Sequence, residues 1–226
     1  MRAGRSASSS LPASNTRSAA AARPVPKLAW QRHTVQKHRA IGLFGGSFNP
    51  AHEGHVEASE MALKRLALDE VWWLVSPANP LKDKSVLAPF EERCAGAERL
   101  ARHPRIKISR IEHEARLTYT HDTVRRLVRS HRDINFVWLM GADNLATFHR
   151  WERWGDLFRL VPVAVIDRPG YRFAALASPA AQRFSASRID ESDAAGLAFL
   201  PAPSWCFLSG LLNPLSSTRL RGSAAA

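Results

Sequence analysis

Cysteine is nearly absent from this chain of 226 residues: Cys94 and Cys206 are its only two. Two thiols exclude a disulfide scaffold and a four-thiolate zinc site, and fit small buried hydrophobes in a reducing compartment. Apolar residues nowhere run uninterrupted for the roughly 18 positions that a membrane-spanning helix needs. An apolar h-region of the kind that directs secretion is also missing. Acidic side chains are lacking from positions 1–40, which carry eight basic residues, namely Arg2, Arg5, Arg17, Arg23, Lys27, Arg32, Lys37 and Arg39. Beyond them, the net charge of +12 shrinks to 24 Lys and Arg against 20 Asp and Glu. The basicity therefore belongs to a tail. The apolar share of 45% is ample for a core in the rest, and the length suits one large α/β domain with an extension.

That extension, residues 1–38, is rich in Ser, Ala, Arg and Pro and shows no apolar period. Such a composition buries too little surface to offset chain entropy, so a disordered basic tail is expected. It also fits an organellar transit peptide, or a basic arm for nucleic acid or an anionic surface. The plainest reading is an extension without a task.

From Arg39 onward the punctuation changes. Ala40–Phe44 is a short apolar run ending in Gly45-Gly46, a strand feeding a tight turn. His55 to Leu68 reads as a helix, Glu70–Val75 as a buried strand, and Pro89 as the first position of a second helix with acids in its first turn. A strand over 105–109 and a helix over 120–130, with Thr120 as N-cap, follow. Next come a strand over 134–140, a mainly helical stretch over 142–160 and a strand over 161–166, with short late strands over 197–200 and 205–208. This alternation predicts a mostly parallel sheet with helices on both faces, and ligands outside the carboxyl ends of its strands.

The unusual residues fall at those ends. After the first strand comes Gly45-Gly-Ser-Phe-Asn-Pro-Ala-His52-Glu-Gly-His55. The glycines let the backbone approach an anion, and the next helix offers it a positive N-terminus. Two histidines three apart at the start of that helix can donate hydrogen bonds to phosphate oxygens. The segment is neither a Walker P-loop nor G-x-G-x-x-G. Near the other end of the chain stands Ser216-Ser-Thr218-Arg-Leu-Arg221, hydroxyls followed by arginines, which suits a polyphosphate.

The first segment resembles the H-x-G-H signature of the nucleotidyltransferases, and the second their I-S-x-T-x-x-R signature. Between them the chain most resembles the nicotinate-nucleotide adenylyltransferases of bacterial NAD synthesis. Asn79-Pro-Leu-Lys82 stands where the family often carries P-P-H-K, and Thr118-Tyr-Thr120-His-Asp-Thr123 where it carries S-Y-T-x-x-T. Gly141-Ala-Asp143 with Phe148 and Trp151 matches G-x-D-x-x-x-x-F-x-x-W, and Arg168-Pro-Gly-Tyr171 matches R-P-G-Y. Leu81 replaces a common histidine, and Glu152 a frequent aromatic residue. The resemblance covers residues 41–222. It implies a Rossmann-like, doubly wound nucleotidyltransferase domain over 39–222, with a disordered tail over 1–38 and a short C-terminal tail over 223–226.

The activity so implied joins ATP and nicotinate mononucleotide, giving nicotinate adenine dinucleotide and pyrophosphate in a cytoplasmic enzyme. The attacking 5′-phosphate is already ionised, so a general base is not required; alignment and charge stabilisation carry the rate. By the resemblance His52 and His55 hold the triphosphate and transition state, with Lys82 and Arg221 as cationic partners. Gly45, Gly46, Ser47, Phe48, Gly141, Asp143, Ser216 and Thr218 make the ATP side, with Asp143 accepting from the ribose. Asn79, Thr120, Trp151 and Arg168 make the mononucleotide side, with Trp151 stacked on the pyridine ring and Trp154 left in the core. No residue is assigned to a metal; Mg²⁺ is expected to arrive on the ATP phosphates. Phosphopantetheine adenylyltransferase, or another nucleotidyltransferase, is the nearest alternative. A reading from another class, a nucleic-acid-binding protein using the basic arm, predicts steeply salt-dependent binding lost with residues 1–38. The near charge balance of the domain argues against it, so small-molecule partners are expected, with neither nucleic acid nor membrane.

Overall fold

The structure, a computed structural model, describes residues 38–77 and 87–210. The described residues all belong to one compact unit. The expected tails, His38 apart, lie outside the described residues.

Six strands form one parallel sheet: β1 (Arg39–Gly46), β2 (Glu70–Val75), β3 (Ile106–Ser109), β4 (Ile134–Gly141), β5 (Val163–Ile166) and β6 (Trp205–Leu208), in the order β3-β2-β1-β4-β5-β6. The direction of winding reverses at β1, which pairs with β2 on one side and β4 on the other. This switch leaves a crevice outside the carboxyl ends of β1 and β4, where open α/β sheets bind ligands.

Side chains alternate between the faces of a strand, and here both faces are covered. Ala40 and Phe44 of β1, Val137 and Leu139 of β4, Ala164 and Ile166 of β5, and Cys206 and Leu208 of β6 share one core. Ile41 and Leu43, Phe136 and Trp138, Val163 and Val165, and Trp205 and Phe207 share the other. Burial on both sides is why these strands read as continuous apolar runs rather than as alternating ones.

The first core is roofed by α1 (Glu53–Arg65) and α2 (Phe90–Leu100). Glu53 begins α1 and Lys64 and Arg65 end it, each charge complementing the helix dipole. Its Ala58, Ser59, Ala62 and Leu63 face inward. Pro89 stands at the N-cap of α2 rather than at its first position, with Glu91 and Glu92 in the first turn. A four-residue helix, α3 (Ile111–Glu114), precedes α4 (Thr120–Ser130), whose Val124 and Leu127 enter the second core. Thr120 opens α4 without capping it: Tyr119 occupies the N-cap, and no side chain accepts there.

The mainly helical stretch over 142–160 consists of α5 (Ala142–Thr147), a 3₁₀ turn over Phe148–Arg150 and α6 (Trp154–Leu160). Arg153, at φ 53°, turns the chain before α6, and Asp156 accepts from its Nε at 3.0 Å. The run over 197–200, expected as a short late strand, is no strand. A 3₁₀ helix runs over Glu191–Phe199, and Asp190 accepts from the Ser192 N–H at its start. Ala194 and Leu197, three apart as the 3₁₀ period requires, turn into the first core. After these, α7 (Arg172–Leu176) and α8 (Pro179–Arg183) cover the other face.

One buried hydroxyl joins α1 to β2. Ser59 Oγ donates to the His55 carbonyl at 2.8 Å and accepts from Trp73 Nε1 at 2.7 Å. Ser59→Ala leaves a fully buried indole N–H without its acceptor, and is expected to lower unfolding free energy by about 1–3 kcal/mol. A shift of the urea midpoint with unchanged slope is the result that measures it.

Candidate active site

The chain leaves β1 through Gly45 and Gly46. A Cβ on Gly45 would lie 2.4 Å from Cη2 of Trp138, and one on Gly46 would lie 3.2 Å from the Phe48 ring. The first glycine is thus required by the indole of β4 packed over it, apart from any approach of an anion. Phe48 follows at φ 45°, left-handed backbone that is rare for an aromatic residue. Its ring is buried, stacked on Trp73 at 4.9 Å and 16°, and lies 4.8 Å from the His55 ring. Phe48 therefore acts as a floor beneath His55, and its side chain is not among those lining the cleft.

His52 sits at the N-cap of α1 in extended backbone, and His55 is the third residue of the helix. The two rings lie 3.8 Å apart. The His52 main-chain N–H donates to Nδ1 of His55 at 3.2 Å, and the His55 N–H donates to the His52 carbonyl at 2.8 Å. An accepting Nδ1 leaves the ring proton of a neutral His55 on Nε2. His52 is buried, and its Nδ1 has no hydrogen-bond partner among the described residues. Burial pushes its pKa down to about 4, the Arg168 guanidinium adds to the effect, and Asp143 opposes it. His52 is accordingly a neutral imidazole at pH 7.

At the end of β4, Gly141 leads into α5. A Cβ there would come within 2.4 Å of Asp143 Oδ1, so glycine is what allows the carboxylate to fold back over the strand end. Arg168, beyond the adjacent β5, donates from Nη1 to Asp143 Oδ2 at 2.7 Å. Asp143 Oδ1 is buried without a partner among the described residues. Arg168 thus stands with Asp143 and close to His52, on the side expected to hold ATP, because β4 and β5 end side by side. It is not among the residues lining the cleft with Trp151.

That cleft, about 300 Å³, is lined by Gly45, Gly46 and Ser47 on one side and by Thr120, Trp151 and Glu152 on the other. The break after α5 explains Trp151: the 3₁₀ turn carries it out of the helical path. There it packs on Phe148 at 5.0 Å and edge-on to Trp138 at 6.4 Å. Trp154 packs on the second core, as expected. Asn79, Lys82, Ser216, Thr218 and Arg221 lie outside the described residues.

Several participants were not picked out from the sequence. Arg93 reads as a solvated charge in Glu-Glu-Arg but is buried. Its guanidinium donates to the carbonyls of Ser47 at 2.6 Å, Ser76 at 2.7 Å, Pro77 at 3.0 Å and Ala88 at 3.0 Å. It ties the glycine turn to the end of β2. Asn144, next to Asp143, and Arg150, next to Trp151, line the cleft; their adjacency to motif residues was the available signal. Glu112, buried in α3, also lines it, and no motif marks it. Among the described residues no group of three or more His, Cys, Asp or Glu side chains is placed to hold a metal ion, and no helix is long and apolar enough to cross a membrane.

Residues 43–222 match the cytidylyltransferase-like family model. A probable nicotinate-nucleotide adenylyltransferase of Methylorubrum extorquens (strain PA1) is 56% identical over 181 residues, covering 80% of this chain and 98% of that protein. One of Rhizobium meliloti (strain 1021) is 52% identical over 184 residues, covering 81% and 98%. In fold, the chain is similar to Plasmodium falciparum nicotinic acid mononucleotide adenylyltransferase complexed with NaAD, with a TM-score of 0.60 at 18% identity over 82% of this chain and 83% of that one.

The depressed His52 has a measurable consequence. In the unfolded chain its imidazole takes a proton near the ordinary value of about 6.5, whereas in the fold it does so only near 4. The unfolded state thus binds more protons in that window, and stability falls as pH drops from 6.5 to 4, by at most about 3 kcal/mol. Glu112, pushed up to about 7 by burial, acts in the opposite sense, its stabilisation being lost as pH rises from 4.5 to 7. Urea titrations across pH 4–7 should show the acid loss diminished in His52→Asn relative to the parent; an identical profile refutes a buried neutral His52.

Proposed function

The chain belongs to the cytidylyltransferase-like family and, within it, to the nicotinate-nucleotide adenylyltransferases, and from that membership we propose how its cleft joins ATP to nicotinate mononucleotide, giving nicotinate adenine dinucleotide and pyrophosphate. The observation that carries this reading is the continuity of one cleft from the glycine turn, at the foot of the histidine pair, to Trp151. Two anionic substrates bound end to end along it bring the mononucleotide phosphate in line with the α-phosphorus of ATP.

The triphosphate lies at the start of α1, where N–H groups and the helix dipole favour negative charge. His55 donates from Nε2 and His52 from its remaining ring N–H, meeting the charge that grows as pyrophosphate departs. Because His52 is neutral when the site is empty, an arriving triphosphate raises its affinity for a proton and gains a cation where it is needed. Lys82 and Arg221 supply further positive charge, and Ser216 and Thr218 contact the β- and γ-phosphates. Gly45, Gly46, Ser47 and Gly141 leave room for the nucleotide, and Asp143 accepts from its ribose, held in place by Arg168. On the other side Trp151 stacks on the pyridine ring, and Thr120 and Asn79 contact the mononucleotide. Arg168 is also retained as a contact to its phosphate across the Asp143 pair.

No base is needed, since the attacking phosphate oxygen is ionised at neutral pH. Mg²⁺ carried by the triphosphate would be held by phosphate oxygens and water rather than by protein side chains, and would supply shielding between the two anions. The described carboxylates fit this reading, since Asp143 is engaged by Arg168 rather than grouped with others.

Pyrophosphate release with ATP and Mg²⁺ is the direct test, offering nicotinate mononucleotide, nicotinamide mononucleotide and phosphopantetheine in parallel. Turnover with the first is expected; turnover confined to phosphopantetheine overturns the acceptor assignment. His55→Ala should lower kcat roughly 10²–10³-fold, as loss of a transition-state donor does. Trp151→Ala should chiefly raise KM for the mononucleotide and leave KM for ATP near its parent value. An unchanged mononucleotide KM removes Trp151 from the site.

A further inference from the structure

Glu112 is a carboxyl group in a place built for anions. It is 5% exposed, yet it lines the cleft with Thr120 and Trp151. The fold holds it through hydroxyls and main chain: Thr123 Oγ1 donates to its Oε1 at 3.1 Å, Ser76 hydrogen-bonds its carboxyl, and its own carbonyl accepts from the Leu117 N–H at 2.8 Å. Among the described residues no Lys, Arg or His forms an ion pair with it. The described charged groups around it are engaged elsewhere or exposed to solvent. On its own segment Arg110 pairs with Glu91 and Glu98, His113 stacks on Phe90, and Glu114 is exposed. On α4, His121 pairs with Asp122. Of the described residues at the end of β2, Ser76 and Pro77 carry no charge, and Arg150 and Glu152, both exposed, line the same cleft.

Resting on the function proposed above, we infer that Glu112 sets the preference of this cleft for a pyridine carboxylate over a pyridine carboxamide, by facing the ring site as an uncharged acid. A buried carboxyl without a cation is costly to ionise. Uncharged, it tolerates a carboxylate nearby and can donate a proton in a hydrogen bond. Ionised, it repels that carboxylate and favours an amide N–H. Burial does push the Glu112 carboxyl up to about 7, so the change falls within the range where the enzyme can be assayed. Glu112 acts on binding of the ring and has no part in phosphoryl transfer.

The test is the ratio of KM values for nicotinamide and nicotinate mononucleotides, measured on the full chain from pH 6 to 8.5 at saturating ATP and Mg²⁺. Both substrates carry the same titrating phosphate, so the ratio cancels it. In the parent, preference for the carboxylate is expected to fall on the order of tenfold as pH rises, the effect of a like charge several ångströms from the ring substituent. Glu112→Gln should hold the preference flat across this range. Thr123→Val removes a donor that favours the ionised form, and should move the midpoint to higher pH. It tests the inference independently if the glutamine variant folds poorly. A ratio flat in the parent, or equally steep in Glu112→Gln, overturns the inference and leaves the proposed reaction standing. Folded protein that turns over neither mononucleotide overturns the reaction, and the inference with it.

Discussion

The pairing of β1 with β4 is the constraint on which the rest of the molecule depends. Six register pairs, from Arg39 with Ile134 to Phe44 with Leu139, bring together two strands separated by almost a hundred residues of chain. Because β2 pairs with the other edge of β1, winding reverses there and the connecting helices go to opposite faces. The crevice at the strand ends follows from this topology alone. Into it open the two loops that hold the proposed ATP-side residues, one after Gly46 and one after Gly141.

Packing then sharpens the crevice into a site. Trp138, from β4, covers Gly45 of β1, so the sheet pairing and the glycine turn are mutually specified. Phe48, stacked on Trp73 and tilted against His55, packs between the histidine and the β2 indole. Arg93 draws the Ser47 and Ser76 carbonyls together, using a buried cation to hold main chain rather than a ligand. A left-handed Phe48 is tolerated because these contacts over-determine it. Preorganisation of this kind is what in-line transfer between two anions demands, since alignment supplies a large part of the rate.

Electrostatics at the two ends of the cleft run in opposite directions for one physical reason. Burial disfavours the charged form of any group, so it lowers His52 and raises Glu112. Both are therefore neutral in the empty site, near neutral pH for the histidine and below it for the carboxyl. An arriving phosphate rewards protonation of His52, while an arriving ring carboxylate is spared the repulsion of an ionised Glu112. In the proposed function, this site thus makes use of groups that are uncharged before substrate arrives.

Much of this was legible in the sequence, and the boundary is instructive. Alternating apolar runs and polar helices announced the parallel sheet, because burial on both faces leaves no other composition for its strands. The Gly45–His55 segment, Gly141 with Asp143, and Trp151 were readable because their spacing is local. The break after Thr147 was not, since only packing against Phe148 and the turn at Arg153 divide an otherwise helical stretch. The run over 197–200 looked like a strand because four apolar residues in isolation do not reveal their period. Arg93 and Glu112 were invisible for a deeper reason: a charged residue in a helix is ordinarily solvated, and only the tertiary structure shows what covers it. The pairing of Arg168 with Asp143 belongs to the same class, arising from neighbouring strand ends 25 residues apart in the chain. Local chemistry, which needs only adjacent residues, was determined by the sequence itself; burial and partnership across the fold, which set the charge each group carries, were decided by tertiary structure.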